Sequence, residues 1–241
     1  MTYTPSTWYR ILSLLLVVVV FVAGIAIFFR VEEIAVTGNA LYTVEELQNA
    51  SGVEEGDNLL ILSKGDVAGS IMAVLPYVEE VRISKELPNR LTITIVESEA
   101  SYMVSGDDGN WWLINSEGKL LEQADAIAGT YPTISDLVVI EPVAGMDMET
   151  ENPDVADAAV AVMKQLESTD YLGKIVEINV EKPYEIIMYY EDIYQIELGG
   201  YDQMSYKIQY LTAVLEQLRE TETGIIDLTL SEENVARFRP W

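Results

Sequence analysis

Residues 11–29 read ILSLLLVVVVFVAGIAIFF, nineteen positions without a charge and with Ser13 as their only hydroxyl, bracketed by Arg10 and Arg30. A helix that is apolar on every face must find apolar surroundings on every face, which a surface helix of a soluble domain cannot supply. At about 1.5 Å per residue the run extends roughly 28 Å, close to the hydrocarbon thickness of a bilayer. Trp8 and Tyr9 precede it, where amphipathic rings favour the headgroup layer. A cleavable signal peptide would have a shorter apolar region, and its small-residue cleavage option, Gly24 and Ala26, is followed by further apolar residues instead of a polar start. A buried helix of a soluble core is the third alternative. The reading adopted is a single membrane-spanning helix over residues 11–29.

Ten residues precede the span, too few to fold, so function lies beyond Arg30. Arg10 and Arg30 tie under the positive-inside rule, and the free amino terminus tips the orientation towards N-inside. All 40 acidic residues follow the span, in a chain of formal net charge −26. Nucleic acid is therefore excluded as an expected ligand, because binding it requires Lys and Arg to neutralise phosphates. The absence of cysteine means only that no disulfide holds the fold. The absence of histidine as well removes the commonest general base, the usual nucleophile triads and most transition-metal sites. Neither a P-loop nor a dinucleotide fingerprint is present. A carboxylate pair could hydrolyse a glycosidic bond, but 40 acidic residues guarantee some such pair by chance. No catalytic residue, cofactor or metal is expected.

Residues 31–97 form one legible unit. A strand over 31–36 places Ile34 and Val36 on one face. After a Gly38-Asn39 turn, Thr43 is positioned to cap a helix, Glu46 to complete a capping box, Tyr42 to staple onto Leu47 and Gly52 to end the helix. A second helix starts near Ser63, with Val67, Ala68, Ile71, Met72 and Leu75 as its apolar stripe and Pro76 as its stop. Two strands, 78–83 and 91–97, flank the turn at residues 86–90. Leu91, Ile93 and Ile95 alternate with Thr92 and Thr94, as in a sheet with one covered face. The order is β-α-α-β-β.

These residues resemble a known family. VEEIAVTGNALYTVEELQNASGVEEGDNLL, followed by LPYVEEVRISKELPNRLTITIVESEA, is similar to the POTRA (polypeptide-transport-associated) domain of the FtsQ/DivIB bacterial cell-division family. The likeness rests on the V-T-G-N turn at residues 36–39, Gly56-Asp57-Asn58-Leu59, the Leu75-Pro76 helix stop, the Leu87-Pro88-Asn89 hairpin and the strand ending in Val96-Glu97.

Beyond Ser98 the pattern changes to that of a second domain, joined through the short linker Ser98-Glu99-Ala100. Strands at 100–104 and 111–115 flank Gly106-Asp107-Asp108-Gly109, read as a turn because it lacks the spaced oxygen ligands of a calcium loop. Asn115-Ser116-Glu117-Gly118 turns the chain into Lys119-Leu120-Leu121, again similar to the family. Residues 124–152 are irregular, with one strand at 137–140; the family commonly has glycine where Asp136 stands. Asn152-Pro153 starts a helix with Val155, Ala159, Val162, Met163 and Leu166 on its buried stripe. Strands follow at 175–180, 185–190 and 193–198, the last two joined at Glu191-Asp192. A helix over 202–220 then buries Met204, Ile208, Leu211, Leu215 and Leu218, and residues 196–230 again resemble the family.

The expected fold class is α+β: a single N-terminal transmembrane helix, a β-α-α-β-β POTRA domain, and a mixed α/β second domain, the family's β domain, with a largely antiparallel sheet. The expected boundaries are a cytoplasmic tail at 1–10, the span at 11–29, the POTRA domain at 31–98, the β domain at 99–230 and a C-terminal tail at 231–241. The resemblance implies that residues 31–241 lie outside the membrane, at the division septum. It also implies contact with division proteins of the FtsB or DivIC type and the FtsL type, and a part in assembling the septal peptidoglycan machinery. The alternative is a POTRA-bearing component of an envelope transport or wall-processing system.

The candidate partner site is the end of the β domain, which the resemblance assigns to FtsB or DivIC binding. Residues 225–230 alternate Ile226, Leu228 and Leu230 against Ile225, Asp227 and Thr229, as a strand with one covered face should. A terminal strand after a helix is expected at a sheet edge, open to an added partner strand. Val235, Arg237, Phe238, Arg239 and Trp241 follow, bringing aromatic and arginine side chains to an acidic chain. Backbone pairing along residues 229–235, from Thr229 to Val235, would set register while Leu230 and Phe238 fill apolar pockets of the partner.

Overall fold

The computed structural model describes residues 7–124, 131–191, 193–218, 222–229 and 236–241. The chain divides into two compact units, Met1–Glu97 and Ser98–Trp241.

The first unit begins with α1 (Thr7–Phe28), whose apolar window Trp8–Phe28 is long enough to cross a membrane and has no part buried against the rest of the protein. β1 (Glu33–Thr37), α2 (Val44–Ser51), α3 (Lys64–Val74), β2 (Val78–Glu86) and β3 (Arg90–Glu97) follow in the expected order. Local chemistry explains each helix boundary. The Thr43 hydroxyl accepts the Glu46 N–H while the Glu46 carboxylate accepts the Thr43 N–H, and Gly52 closes α2 at φ 65°. Ser63 caps α3 by accepting the Asp66 N–H. Of the stripe expected on α3, Val67, Ile71 and Leu75 are buried and Ala68 packs at the core's margin, but Met72 faces outward at 36% exposure. The helix contacts β2 through a narrow face that Val67 and Ile71 already fill.

The sheet order is β1-β3-β2, with β1 parallel and β2 antiparallel to the central β3. Leu91, Ile93 and Ile95 carry the covered face and share one buried cluster with both helices. Glu97, at the end of β3, accepts the backbone N–H groups of Ala40, Leu41 and Tyr42 at 2.8, 2.7 and 3.1 Å. The strand-ending glutamate therefore holds the loop that leads into α2.

The second unit contains β4 (Tyr102–Gly106), β5 (Trp111–Ile114), β6 (Leu120–Ala124), β7 (Thr133–Val139), α4 (Pro153–Leu166), β8 (Ile175–Asn179), β9 (Ile186–Tyr190), β10 (Tyr194–Gly199), α5 (Met204–Leu215), β11 (Gly224–Asp227) and β12 (Arg237–Pro240). Among the described residues the strands form one nine-stranded sheet, β12-β11-β10-β9-β8-β7-β4-β5-β6. It is mixed: β4 with β7, β7 with β8 and β10 with β11 are parallel, and the remaining neighbours are antiparallel. The expected stripe on α4 is buried together with Ala158, and α4 and α5 pack on one another over a single core. The Tyr102 hydroxyl donates to the Met163 carbonyl at 3.2 Å, and burial pushes its pKa upward.

Three local features were not evident from the pattern. Asp136 adopts φ 57° within β7, a left-handed conformation that glycine takes without strain. Asp108 accepts both the Asn110 backbone N–H and its side-chain amide, at 2.9 and 3.0 Å, and these bonds, with those from Trp112 and Gln123, hold its carboxyl below the ordinary range. Asp108 thus organises the hairpin turn, while Asp107 ties it to the end of β7 by accepting the Glu141 N–H. α5 ends at Leu215, short of the expected residue 220; Met204, Ile208 and Leu211 are buried and Leu215, with Leu218 just past the helix, packs against the core, but Lys207 is also buried, its ammonium donating to the Gly200 carbonyl. Desolvation lowers its pKa, with Asp202 opposing the shift.

Candidate partner-binding edge

The C-terminal end of the second sheet is built by a crossover. β10 runs into α5, and β11 returns parallel to β10, tied by the Gly224 N–H to the Ile193 carbonyl at 3.1 Å and the Leu228 N–H to the Glu197 carbonyl at 2.8 Å. Ile226 and Leu228 point into the core and are 0% and 1% exposed. After β11 the chain turns at once, because the Asp227 carboxylate accepts both the backbone N–H and the hydroxyl of Thr229, at 3.0 and 2.7 Å. Burial alone would raise the Asp227 pKa; the Thr229 hydrogen bonds and the charges of Arg239 and Arg237 outweigh it and hold the carboxyl below its ordinary value.

The terminal strand is β12. It pairs antiparallel with β11, Ile226 opposite Phe238 and Asp227 opposite Arg237, and is the last strand on that side of the sheet. The close approach of the two strands depends on Gly224, where an added Cβ would lie 2.3 Å from the Arg239 carbonyl oxygen. Phe238 seats β12 from the inner face. Its ring meets Tyr194 edge-on at 6.2 Å, and Tyr194, Tyr190 and Tyr171 continue the row at 6.0 and 6.2 Å. Tyr190 and Tyr194 stand opposite each other across the β9–β10 hairpin. On the other face Arg239 pairs with Glu197 at 2.8 Å, a half-exposed contact worth under about 1 kcal/mol.

Several expectations therefore change. The strand expected to reach Leu230 ends at Asp227, and it is an interior strand because β12 covers it. Ile226 and Leu228 are committed to the domain's own core, and Thr229 belongs to a turn. Phe238 is partly buried against Tyr194, so its ring contributes to seating β12 on the sheet. Leu230 and Val235 lie outside the described residues. Arg237–Pro240, placed in a C-terminal tail by the sequence pattern, form the edge strand. The sequence signal that could have found β12 is the alternation of Phe238 between Arg237 and Arg239, too short on its own to distinguish a strand from a frayed end.

A helix long and apolar enough to cross a membrane, a β-α-α-β-β domain and a sheet-rich domain ending in a strand at the sheet's edge define a POTRA-bearing protein. Residues 29–98 match the family described as POTRA domain, FtsQ-type, and residues 103–229 match Cell division protein FtsQ/DivIB, C-terminal. The chain belongs to the FtsQ/DivIB cell-division family. It is 24% identical over 207 residues to the cell division protein DivIB of Clostridium botulinum, covering 84% of this chain and 79% of that protein. It is 27% identical over 208 residues to the cell division protein FtsQ of Corynebacterium glutamicum, covering 83% and 87%. DivIB of Listeria monocytogenes is 22% identical over 231 residues, covering 94% and 82%. β12 lies beyond the C-terminal family match, which ends at residue 229.

Proposed function

We propose that this chain is a non-enzymatic scaffold of the division machinery, anchored by α1 with its short N-terminal tail in the cytoplasm and both folded units outside. It binds other single-span division proteins, of the FtsB or DivIC type and the FtsL type, and so helps assemble septal peptidoglycan synthesis. The observation that supports this reading is the sheet's ending, among the described residues, in β12, Arg237–Pro240, in a protein of a cell-division family. An edge strand offers its outer backbone groups to a strand supplied by a partner. Pro240, which has no N–H, limits such pairing to the earlier part of the strand.

In this reading Phe238 and Gly224 act by keeping β12 on the sheet, while Ile226 and Leu228 act as the core beneath β11. Thr229 belongs to the turn that ends β11. Full-length protein should bind the extracytoplasmic segment of an FtsB or DivIC homologue, and removal of residues 236–241 should abolish that binding. Phe238→Ala should weaken it through loosening of the edge, by less than removal of the strand does. Undiminished affinity in both variants would refute the edge assignment. A reporter active only in the cytoplasm, fused after Trp241, should be silent; strong activity would refute the orientation.

A further inference from the structure

The first unit carries a second exposed surface, at the end where α1 leaves the apolar run. The last carbonyls of a helix have no partner within it, and in a bilayer such groups must be satisfied by protein. Here the partners come from the loop before α3. The Asn58 side-chain amide donates to the Ala26 carbonyl at 3.2 Å, and the Leu59 N–H donates to the Phe29 carbonyl at 2.8 Å. Ala26 lies within the last apolar turn, three residues before Phe29, so at about 1.5 Å per residue the loop overlaps the end of the span by about 4–5 Å.

The loop is pinned on both sides of its tip. Leu59 is fully buried in the domain core, Leu62 packs against that core, and the Asn58 carbonyl accepts the N–H groups of Ile61 and Leu62 at 3.2 and 3.1 Å. Between them Leu60 and Ile61 are turned outward, 46% and 84% exposed. The β2–β3 hairpin lies at the same end, because β3 runs parallel to β1 and starts where β1 leaves the helix. The Glu32 N–H donates to the Asn89 carbonyl at 2.8 Å, and Lys85 donates to the Leu62 carbonyl, tying this hairpin to both the helix exit and the loop. Leu87, at the hairpin tip, is 57% exposed.

We infer that Leu60, Ile61 and Leu87 form a two-loop seat that inserts into the bilayer leaflet on the C-terminal side of α1, at the boundary between headgroups and acyl chains. The occupant is lipid because the surface is continuous with the end of the membrane-spanning helix. Around the two loops Glu32, Glu54, Glu55 and Asp57 offset Arg30, Lys64, Lys85 and Arg90, so the seat rests on apolar insertion and does not require anionic lipid.

The test uses full-length protein in nanodiscs of zwitterionic phosphatidylcholine, with single cysteines labelled by an environment-sensitive fluorophore. Probes at Ile61→Cys and Leu87→Cys should be blue-shifted and quenched by lipids spin-labelled near the headgroup. A probe at Leu41→Cys, as exposed as Leu87 but beyond the opposite end of β1, should be quenched several-fold less. All three positions are solvent-facing, so labelling leaves the core untouched. Probes at 61 and 87 as water-exposed as the one at 41 would overturn the proposal, and a quenched 61 with a water-exposed 87 would overturn the two-loop seat. Adding anionic lipid should leave quenching unchanged or reduce it; an absolute requirement for anionic lipid would overturn the apolar basis of the contact.

Discussion

The two units place an outer strand against its sheet in the same way but with opposite consequences. In the first, Gly38 follows β1, and an added Cβ there would lie 2.2 Å from the carbonyl oxygen of Ile95. In the second, Gly224 opens β11, and an added Cβ would lie 2.3 Å from the carbonyl oxygen of Arg239. The obstacle in the first case belongs to β3, the central strand, whose Ile93 and Ile95 are buried in the core. In the second it belongs to β12, the terminal strand, which pairs on one side only and adds to its ladder with β11 a partly buried ring and a surface ion pair. A strand at the centre of a sheet cannot yield without disturbing the core; one at the edge can lift away. The same crowding should therefore unfold one domain and only unfasten the other.

Gly38→Ala tests the stronger half of this contrast. Besides the clash, Gly38 sits at φ 85°, where an L side chain is strained. We expect a loss of about 3 kcal/mol or more, read as a lower denaturation midpoint of the first unit. Gly224→Ala should cost about 2 kcal/mol at most, leave the far-UV spectrum close to wild type, and raise hydrogen exchange at β11 and β12 selectively. Equal global destabilisation by the two substitutions would break the comparison.

Glu97→Ala asks how much the first unit depends on a side chain instead of a backbone fit. Three N–H groups lose a charged acceptor but gain water, so the expected cost is about 1–2 kcal/mol, concentrated in the loop before α2. The smallest effect belongs to Asp227, whose folded pKa is lowered. The stabilisation it provides is present above the ordinary carboxyl pKa and is lost as pH falls through the lowered folded value. Exchange protection of β12 should weaken across that acid window in the wild type, and Asp227→Asn should remove the pH dependence. An identical acid response in the two proteins would show that the Thr229 turn does not govern the edge.

Much of the first unit was legible because its information is local. The capping box at Thr43 and Glu46, the helix end at Gly52 and the alternation of Leu91, Ile93 and Ile95 each act within a few residues, and each appears where expected. Glu97 was visible only as a strand-ending residue of the family; its role depends on N–H groups more than fifty positions away. Met72 was misread because a 3.6-residue period marks a face without stating how wide a contact will cover it. In the second unit, strands were found near their true positions, but their order was not. Nothing in residues 133–139 says that this strand lies between β4 and β8, and nothing in residues 237–240 says that they pair with β11.

By itself the sequence determined the membrane-length helix, the class of each main element, the exclusion of histidine and cysteine chemistry, and the family. All of these follow from composition, periodicity and short-range hydrogen bonding, which a chain carries along its length. The tertiary structure alone decided which strand ends the sheet, which apolar residues near the C-terminus are core, and that Asn58 caps the last turn of the apolar helix. Those outcomes depend on pairing and burial between distant segments, where a few residues of alternating pattern are compatible with an interior strand, an edge strand or a tail. Only the competition for places on the sheet and in the core selects among them.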